Sequence, residues 1–365
     1  MKRFLAFCLA AVLALGLLGC AAAGVSPEAE EETEADPLPV EEGPSPAPVP
    51  ATEPPVTEPP VYDGELFLTV SEIVFTLQGE SEDVYAGTIP REAVLWESED
   101  ESVAVFQDGV LTATGVGRTT VSATYREQRL ECAVGCLAQS REDLAGISPE
   151  LLHSPKRLPP ETDETATAFF SDAAIIGDSI SWVLLQYETL SGELGHPQFL
   201  VRGGSSLNGY VKYYYNLFYQ GKETKLEDAV ALSGVKKGFF MLGQNDLTQS
   251  MEDVMDNWAL LLSRLRETCP DTDIYIESCF PIWRDDAANN ERNEKILLYN
   301  ELLIQFAEEN GCYYVDIYPY LEDHTSRLVN SYRMDDYHLN ETGCHIWMQA
   351  LNAYAYTQII GGTAA

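Results

Sequence analysis

The chain has 365 residues, with 22 basic against 58 acidic side chains and a formal charge of −36. That length exceeds one ordinary domain of roughly 100–200 residues and points to two or three. The charge excludes nucleic acid as a partner, because phosphate backbones demand a concentrated Lys/Arg face.

Residues 1–20 read as an export signal: Lys2 and Arg3 precede an apolar stretch over residues 4–18, closed by Gly19-Cys20. The stretch is too short to span a bilayer. Leu17-Leu18-Gly19-Cys20 resembles the bacterial lipobox, which implies cleavage before Cys20 and acylation of that cysteine, so that the protein is held at the membrane by a lipid anchor. A plain secretory signal cut near Ala22 is the alternative, and either route places the chain outside the cytoplasm. Residues 21–62 are rich in Pro, Glu, Ala, Thr and Val and hold almost no aromatics. Such a segment cannot bury enough apolar surface to offset its ordering entropy, so it is expected to be a disordered, extended tether.

Residues 63–138 switch to short apolar segments punctuated by Gly, Asp and Glu, with strands expected at 66–70, 93–96, 103–105, 110–113 and 120–125. Strands at such spacing suggest a small antiparallel sandwich. Residues 96–105, the turn Asp108-Gly109 and the segment Gly115-Val116-Gly117 resemble the bacterial immunoglobulin-like group 2 domain. That resemblance implies a spacer or adhesive module, with a structural stalk favoured. Residues 139–165 lack periodicity, hold His153, Pro155, Pro159 and Pro160, and suit an interdomain connection. His153 has no motif around it and reads as a bystander.

From residue 166 to 361 apolar runs alternate with amphipathic stretches. Strands are expected at 173–176, 199–201, 238–242, 274–278 and 313–317, with helices over 180–190, 251–268 and 293–309 and a last one containing Ile346, Trp347, Ala350 and Leu351. Alternation of this kind gives a parallel sheet covered on both sides, with ligands at the carboxyl ends of its strands.

The chemistry-bearing residues cluster at those strand ends. Gly177-Asp178-Ser179 puts a hydroxyl on a strand-to-helix turn, where the helix N-terminus favours developing negative charge; a serine there is also a common N-cap. Gly243-Gln244-Asn245-Asp246 offers a side-chain amide that can donate to an oxyanion, and Gly203-Gly204 lets a backbone N–H approach closely; both are also ordinary turn chemistry. In Asp335-Asp336-Tyr337-His338 an acid three residues before a histidine can hold the imidazole tautomer needed for proton transfer. His345 reads as a surface or packed residue of the last helix, and His196 and His324 lie in loop-like segments without a motif.

These four blocks, in order, resemble those of the SGNH (GDSL-like) hydrolases, and Tyr299-Asn300-Glu301-Leu302 is similar to that family as well. The resemblance implies an α/β, flavodoxin-like domain with a parallel five-stranded sheet, preceded here by the small all-β immunoglobulin-like sandwich. It also implies a serine esterase with Ser179 as nucleophile, His338 as general base and then acid, and Asp335 as its orienting carboxylate. Asp336 is the rival for Asp335. Asn245 and Gly204 would form the oxyanion hole with the Ser179 N–H, Gly203 being the substitute for Gly204. No metal or cofactor is expected.

The family acts on many acyl groups, so substrate comes from location: a short-chain, acetyl ester on carbohydrate or cell-wall glycan is the first choice. An O-acyltransferase on the same triad, or a surface adhesion protein using the hydrolase fold as scaffold, are the alternatives. The aromatic run over residues 210–215 could stack on sugar rings or pack in the core, the second being preferred. Beyond Cys8 in the signal and Cys20, six cysteines remain, an even number that permits disulfides outside the cell. For Cys132 and Cys136 a local disulfide or two unpaired thiols is expected.

Overall fold

In the computed structural model, which describes residues 60–284 and 287–363, an all-β region precedes an α/β region. The export signal, Cys20 and all but the last residues of the tether lie outside the described residues. Among the described residues no helix is long and apolar enough to cross a membrane.

The first region is built of β1 (Glu72–Leu77), β2 (Ser81–Asp83), β3 (Leu95–Ser98), β4 (Ala104–Gln107), β5 (Val110–Ala113), β6 (Gly117–Tyr125) and β7 (Gln128–Ala138). They form two sheets around a core of Phe75, Val84, Phe106, Leu111, Val121 and Val134. Most pairings are antiparallel, but β1 runs parallel to β7, so the sandwich is mixed.

The expected strand at 66–70 is not one: apart from a single bridge from Leu68 to Tyr85, the segment is irregular. Its apolar character has another cause. Leu66, Leu68 and Val70 enter the β core, while Phe67 turns the other way, against Ala353 and Ile360 of the last helix. β1 and β7 were not among the expected strands; β7 buries Cys132, Val134, Cys136 and Ala138 with the period of two of a half-buried strand. Cys132 and Cys136 lie on one face of this strand about 13 Å apart along it, out of disulfide range. Both are free thiols, as are Cys269, Cys279, Cys312 and Cys344.

The connection carries α1 (Pro149–Leu152), β8 (Arg157–Leu158) and α2 (Glu164–Ala168). β8 adds to the edge of β1, and Arg157 makes a two-pronged ion pair with Glu82 at 2.9 and 3.1 Å. The chain then enters the α/β region: β9 (Ala173–Gly177), α3 (Ser179–Ser191), β10 (Gln198–Val201), α4 (Leu207–Val211), the hairpin β11 (Leu217–Tyr219) and β12 (Lys222–Thr224), α5 (Leu226–Ser233), β13 (Lys237–Met241), α6 (Met251–Thr268), β14 (Asp273–Glu277), α7 (Ala287–Asn310), β15 (Tyr313–Val315), α8 (Tyr318–Leu321) and α9 (Glu341–Thr363). The five expected strands form one parallel sheet in the order β10-β9-β13-β14-β15.

One face of the sheet packs on α4–α7, with Trp258, Leu261 and Leu265 of α6 against Ile176 and Phe240. The other packs on α3 and α9, with Trp347 and Leu351 against Phe239 and Tyr275. Each large apolar side chain buried this way contributes about 1.5–3 kcal/mol. The chain steps from β9 out to β10 and then crosses back past β9 to β13, so the switch point lies between β9 and β13, where the carboxyl ends of the strands open a crevice.

Candidate active site

At the end of β9 the sequence makes its turn into α3 with Asp178 as the N-cap: the carboxylate accepts the Ile180 N–H at 2.9 Å. The capping task therefore falls to Asp178, and the hydroxyl of Ser179, the first helical residue, is left for other partners. Ser179 Oγ lies 3.0 Å from Nε2 of His338, and Nδ1 of His338 lies 2.9 Å from Asp335 Oδ2. Asp335 Oδ1 accepts the backbone N–H groups of Tyr337 and His338, both at 2.8 Å. Partial burial opposes the charged form of Asp335, but those two N–H groups and the imidazole outweigh it and hold the carboxyl below its ordinary range. Asp336 does not face the imidazole; its carboxylate is directed at Arg284, 3.6 Å away.

Asn245 follows β13 on a turn that only glycine can open: Gly243 has φ +102, and a Cβ there would stand 2.0 Å from the Tyr299 hydroxyl. The Asn245 amide donates to Asp178 Oδ2 at 2.8 Å and to the Ser205 carbonyl at 2.9 Å. It thus joins the ends of β9, β10 and β13 and, in this structure, has both N–H groups engaged. Beyond β10, Gly204 rather than Gly203 adopts the left-handed conformation, with φ +72 and open space where a Cβ would sit. Burial pushes the Asp178 carboxyl up to about 6, against the opposing pull of the Ile180 N–H and His338.

Several residues that shape this site carry no role in the sequence reading. Asp246 is buried and accepts the backbone N–H groups of Leu207 and Asn208, capping α4. Arg292 donates to the Gln244 carbonyl at 2.8 Å while its guanidinium lies over the Tyr337 ring, connecting the Asn245 turn to the His338 turn. Asn293 and Asn300, two helical turns apart on α7, each clamp the backbone of the segment after β14, at Ile282 and Cys279. The sequence offered Ser179 rather than Asp178 as the N-cap, and these other residues depend on contacts across 11 to 48 residues of sequence.

The remaining histidines sort by contact. His153 is no bystander: Nδ1 lies 2.6 Å from the buried Asp323 carboxylate and the ring meets Trp283 edge-on. His324 is buried beside Thr76, and burial together with Lys156 pushes its pKa down to about 4. His345 pairs with Glu193 on the surface. In the aromatic run Tyr210 is core, its hydroxyl 3.0 Å from Ser205 Oγ, whereas Tyr214 is 72% exposed. Among the described residues no group of three or more His, Cys, Asp or Glu side chains is arranged to hold a metal ion.

Residues 175–346 match the GDSL-like Lipase/Acylhydrolase family. Similar solved structures include a GDSL-like lipase from Bacteroides thetaiotaomicron, 14% identical over 53% of this chain and 96% of that one, with a TM-score of 0.42. Another is a carbohydrate esterase family 3 protein from Talaromyces cellulolyticus, 15% identical over 52% of this chain and 98% of that one, with a TM-score of 0.37. No curated protein matches the chain. The C-terminal region, spanning residues 175–346, is of the GDSL-like lipase/acylhydrolase family, and the protein is an ester-hydrolysing serine hydrolase.

Proposed function

We propose that the protein is an extracytoplasmic serine esterase that removes short acyl groups, acetyl foremost, from acylated carbohydrate or cell-wall glycan. The observation that carries the catalytic part is the continuous chain from Ser179 Oγ through His338 to Asp335, at 3.0 and 2.9 Å, on the N-terminal turn of a helix. Ser179 attacks the ester carbonyl as Nε2 of His338 takes its proton; Asp335 orients the imidazole and stabilises the imidazolium. The proton then passes to the leaving alcohol, and water repeats the sequence on the acyl-enzyme. The oxyanion accepts from the N–H groups of Ser179 and Gly204 and from Asn245, which turns one amide N–H from the Ser205 carbonyl or Asp178 towards it.

An open site supports a large alcohol partner: the Asp335 side chain is 52% exposed, and Gly203, Gly204 and Asn245 are exposed. In this reading Cys20 carries the lipid anchor, the Pro/Glu-rich segment gives reach, and the β region is an immunoglobulin-like spacer.

The test is hydrolysis of p-nitrophenyl acetate and butyrate by wild type beside Ser179→Ala and His338→Ala. Both variants are expected to lose several orders of magnitude in kcat, and Asn245→Ala about 10²–10³-fold. Equal inactivity of folded wild type and variants would remove the esterase reading, and product partition with added acceptor alcohols would expose a transferase.

A further inference from the structure

The turn that carries Asp335 and His338 is a small surface structure. It is closed by a bridge between Arg333 and Leu339 and by the Met334 N–H on the His338 carbonyl at 2.8 Å. Met334 is 56% exposed and the Asp335 side chain 52%, so much of the turn is not held by packing beneath it. Besides Arg292 over the Tyr337 ring and Arg284 beside Asp336, Trp283 holds it from one side. Its backbone N–H donates to the Asp336 carbonyl at 3.1 Å, and the Arg333 guanidinium lies 4.5 Å over its ring. Trp283 thus touches the turn at two residues, one on each side of Asp335.

The opposite support of Trp283 comes from outside the family-matched region. The His153 ring stands edge-on to the indole at 4.8 Å and 67°. His153 is itself anchored: Nδ1 is 2.6 Å from Asp323 Oδ2, its carbonyl accepts the Asn330 N–H, and the neighbouring Leu152 carbonyl accepts the His324 N–H. Asp323 has no exposed surface, and its other oxygen is committed to Thr325 and Arg327 backbone N–H groups and the Thr325 hydroxyl.

We infer that the interdomain segment is a positioning part of the active site: His153 braces Trp283, and Trp283 holds the turn that presents Asp335 and His338. Edge-to-face and cation–π contacts are individually modest, but a catalytic group displaced by 1 Å can lose about 10²-fold in rate, so a brace of this size is enough to matter. The inference rests on the esterase reading for its kinetic test, and a spectroscopic measurement separates the two.

In the full chain, Trp283→Ala is expected to lower kcat for p-nitrophenyl acetate about 10–100-fold with KM within about twofold, as misplacement of a catalytic group predicts. Trp283→Phe, which keeps an aromatic edge, is expected to recover most of that loss. His153→Ala is expected to lower kcat several-fold, and the double variant to be no slower than Trp283→Ala, because the two residues act through one contact. Proton NMR of the His338 ring supplies the second readout: the downfield Nδ1–H resonance should broaden in Trp283→Ala at an unchanged melting temperature. Any of three results overturns the inference: raised KM at constant kcat, which marks a substrate contact; fully additive losses; or an unaltered Nδ1–H signal. If wild type hydrolyses no ester, the esterase reading fails, while the NMR comparison still decides whether Trp283 holds the turn.

Discussion

The carboxylate of Asp246 accepts the backbone N–H of Leu207 at 2.8 Å, tying the turn after β13 to the first residue of α4. Its second oxygen takes the Asn208 N–H and the Gln249 amide, so this one buried group fixes the segment that follows Gly204. Burial raises its pKa, and the N–H donors act the other way. Asp246→Ala leaves two helix-terminal N–H groups without partners, a loss of about 1–3 kcal/mol each where they are buried. The variant is expected to melt several degrees lower and to lose kcat by at least about tenfold as Gly204 drifts. Thermal unfolding and steady-state kinetics on the same preparation check both, and an unchanged kcat in a folded variant would detach α4 from the oxyanion site.

The two neighbouring acids of the last motif separate by direction. Asp335 meets Nδ1 of His338, and Asp336 faces Arg284. Replacing the first with asparagine favours the wrong imidazole tautomer, so Asp335→Asn is expected to lower kcat by about 10²–10⁴-fold. Asp336→Asn breaks only a long, exposed ion pair and should stay within about threefold of wild type. A larger effect at Asp336 than at Asp335 would reverse the assignment.

Glu277, at the end of β14, is fully buried, with one oxygen on the Trp347 indole N–H at 2.7 Å and the other without a partner among the described residues. Burial pushes its pKa up to about 7, only partly offset by the indole. The folded state therefore holds this proton at pH values where the unfolded chain has released it. The resulting stability is complete below the ordinary glutamate range near pH 4.5 and is lost as pH rises through about 7, a difference on the order of 3 kcal/mol. Glu277→Gln, which cannot ionise, should flatten the fall in melting temperature between pH 5 and 8. An equal fall in the variant would assign the pH dependence to other groups.

Much of the α/β region was readable along the chain. β13 and β14 are runs of buried residues bounded by turns, and α6 shows Val254, Trp258, Leu261 and Leu265 at helical spacing over the same residues the structure gives it. The four motif blocks were legible for a related reason: three are local turns at strand ends and the fourth is a local turn before the last helix, and local turns have local residue requirements. The segment 66–70 failed because apolarity does not say which surface a side chain meets. Leu66 and Leu68 serve the β core and Phe67 serves α9, a split that alternation alone cannot distinguish from a strand.

By itself, then, the sequence determined the parallel sheet, the order of the motif blocks and the residues Ser179, Asn245 and His338 around which the proposed acyl chemistry is built. Only the tertiary structure decided that Asp335 and not Asp336 meets the imidazole, that Asp178 caps α3 and leaves the Ser179 hydroxyl to His338, and that His153 reaches Trp283 across 130 residues. Hydrophobic periodicity and turn chemistry act over a few residues and are written in the order of the side chains. A contact between distant side chains depends on how whole elements pack, and packing is fixed only when every element is in place.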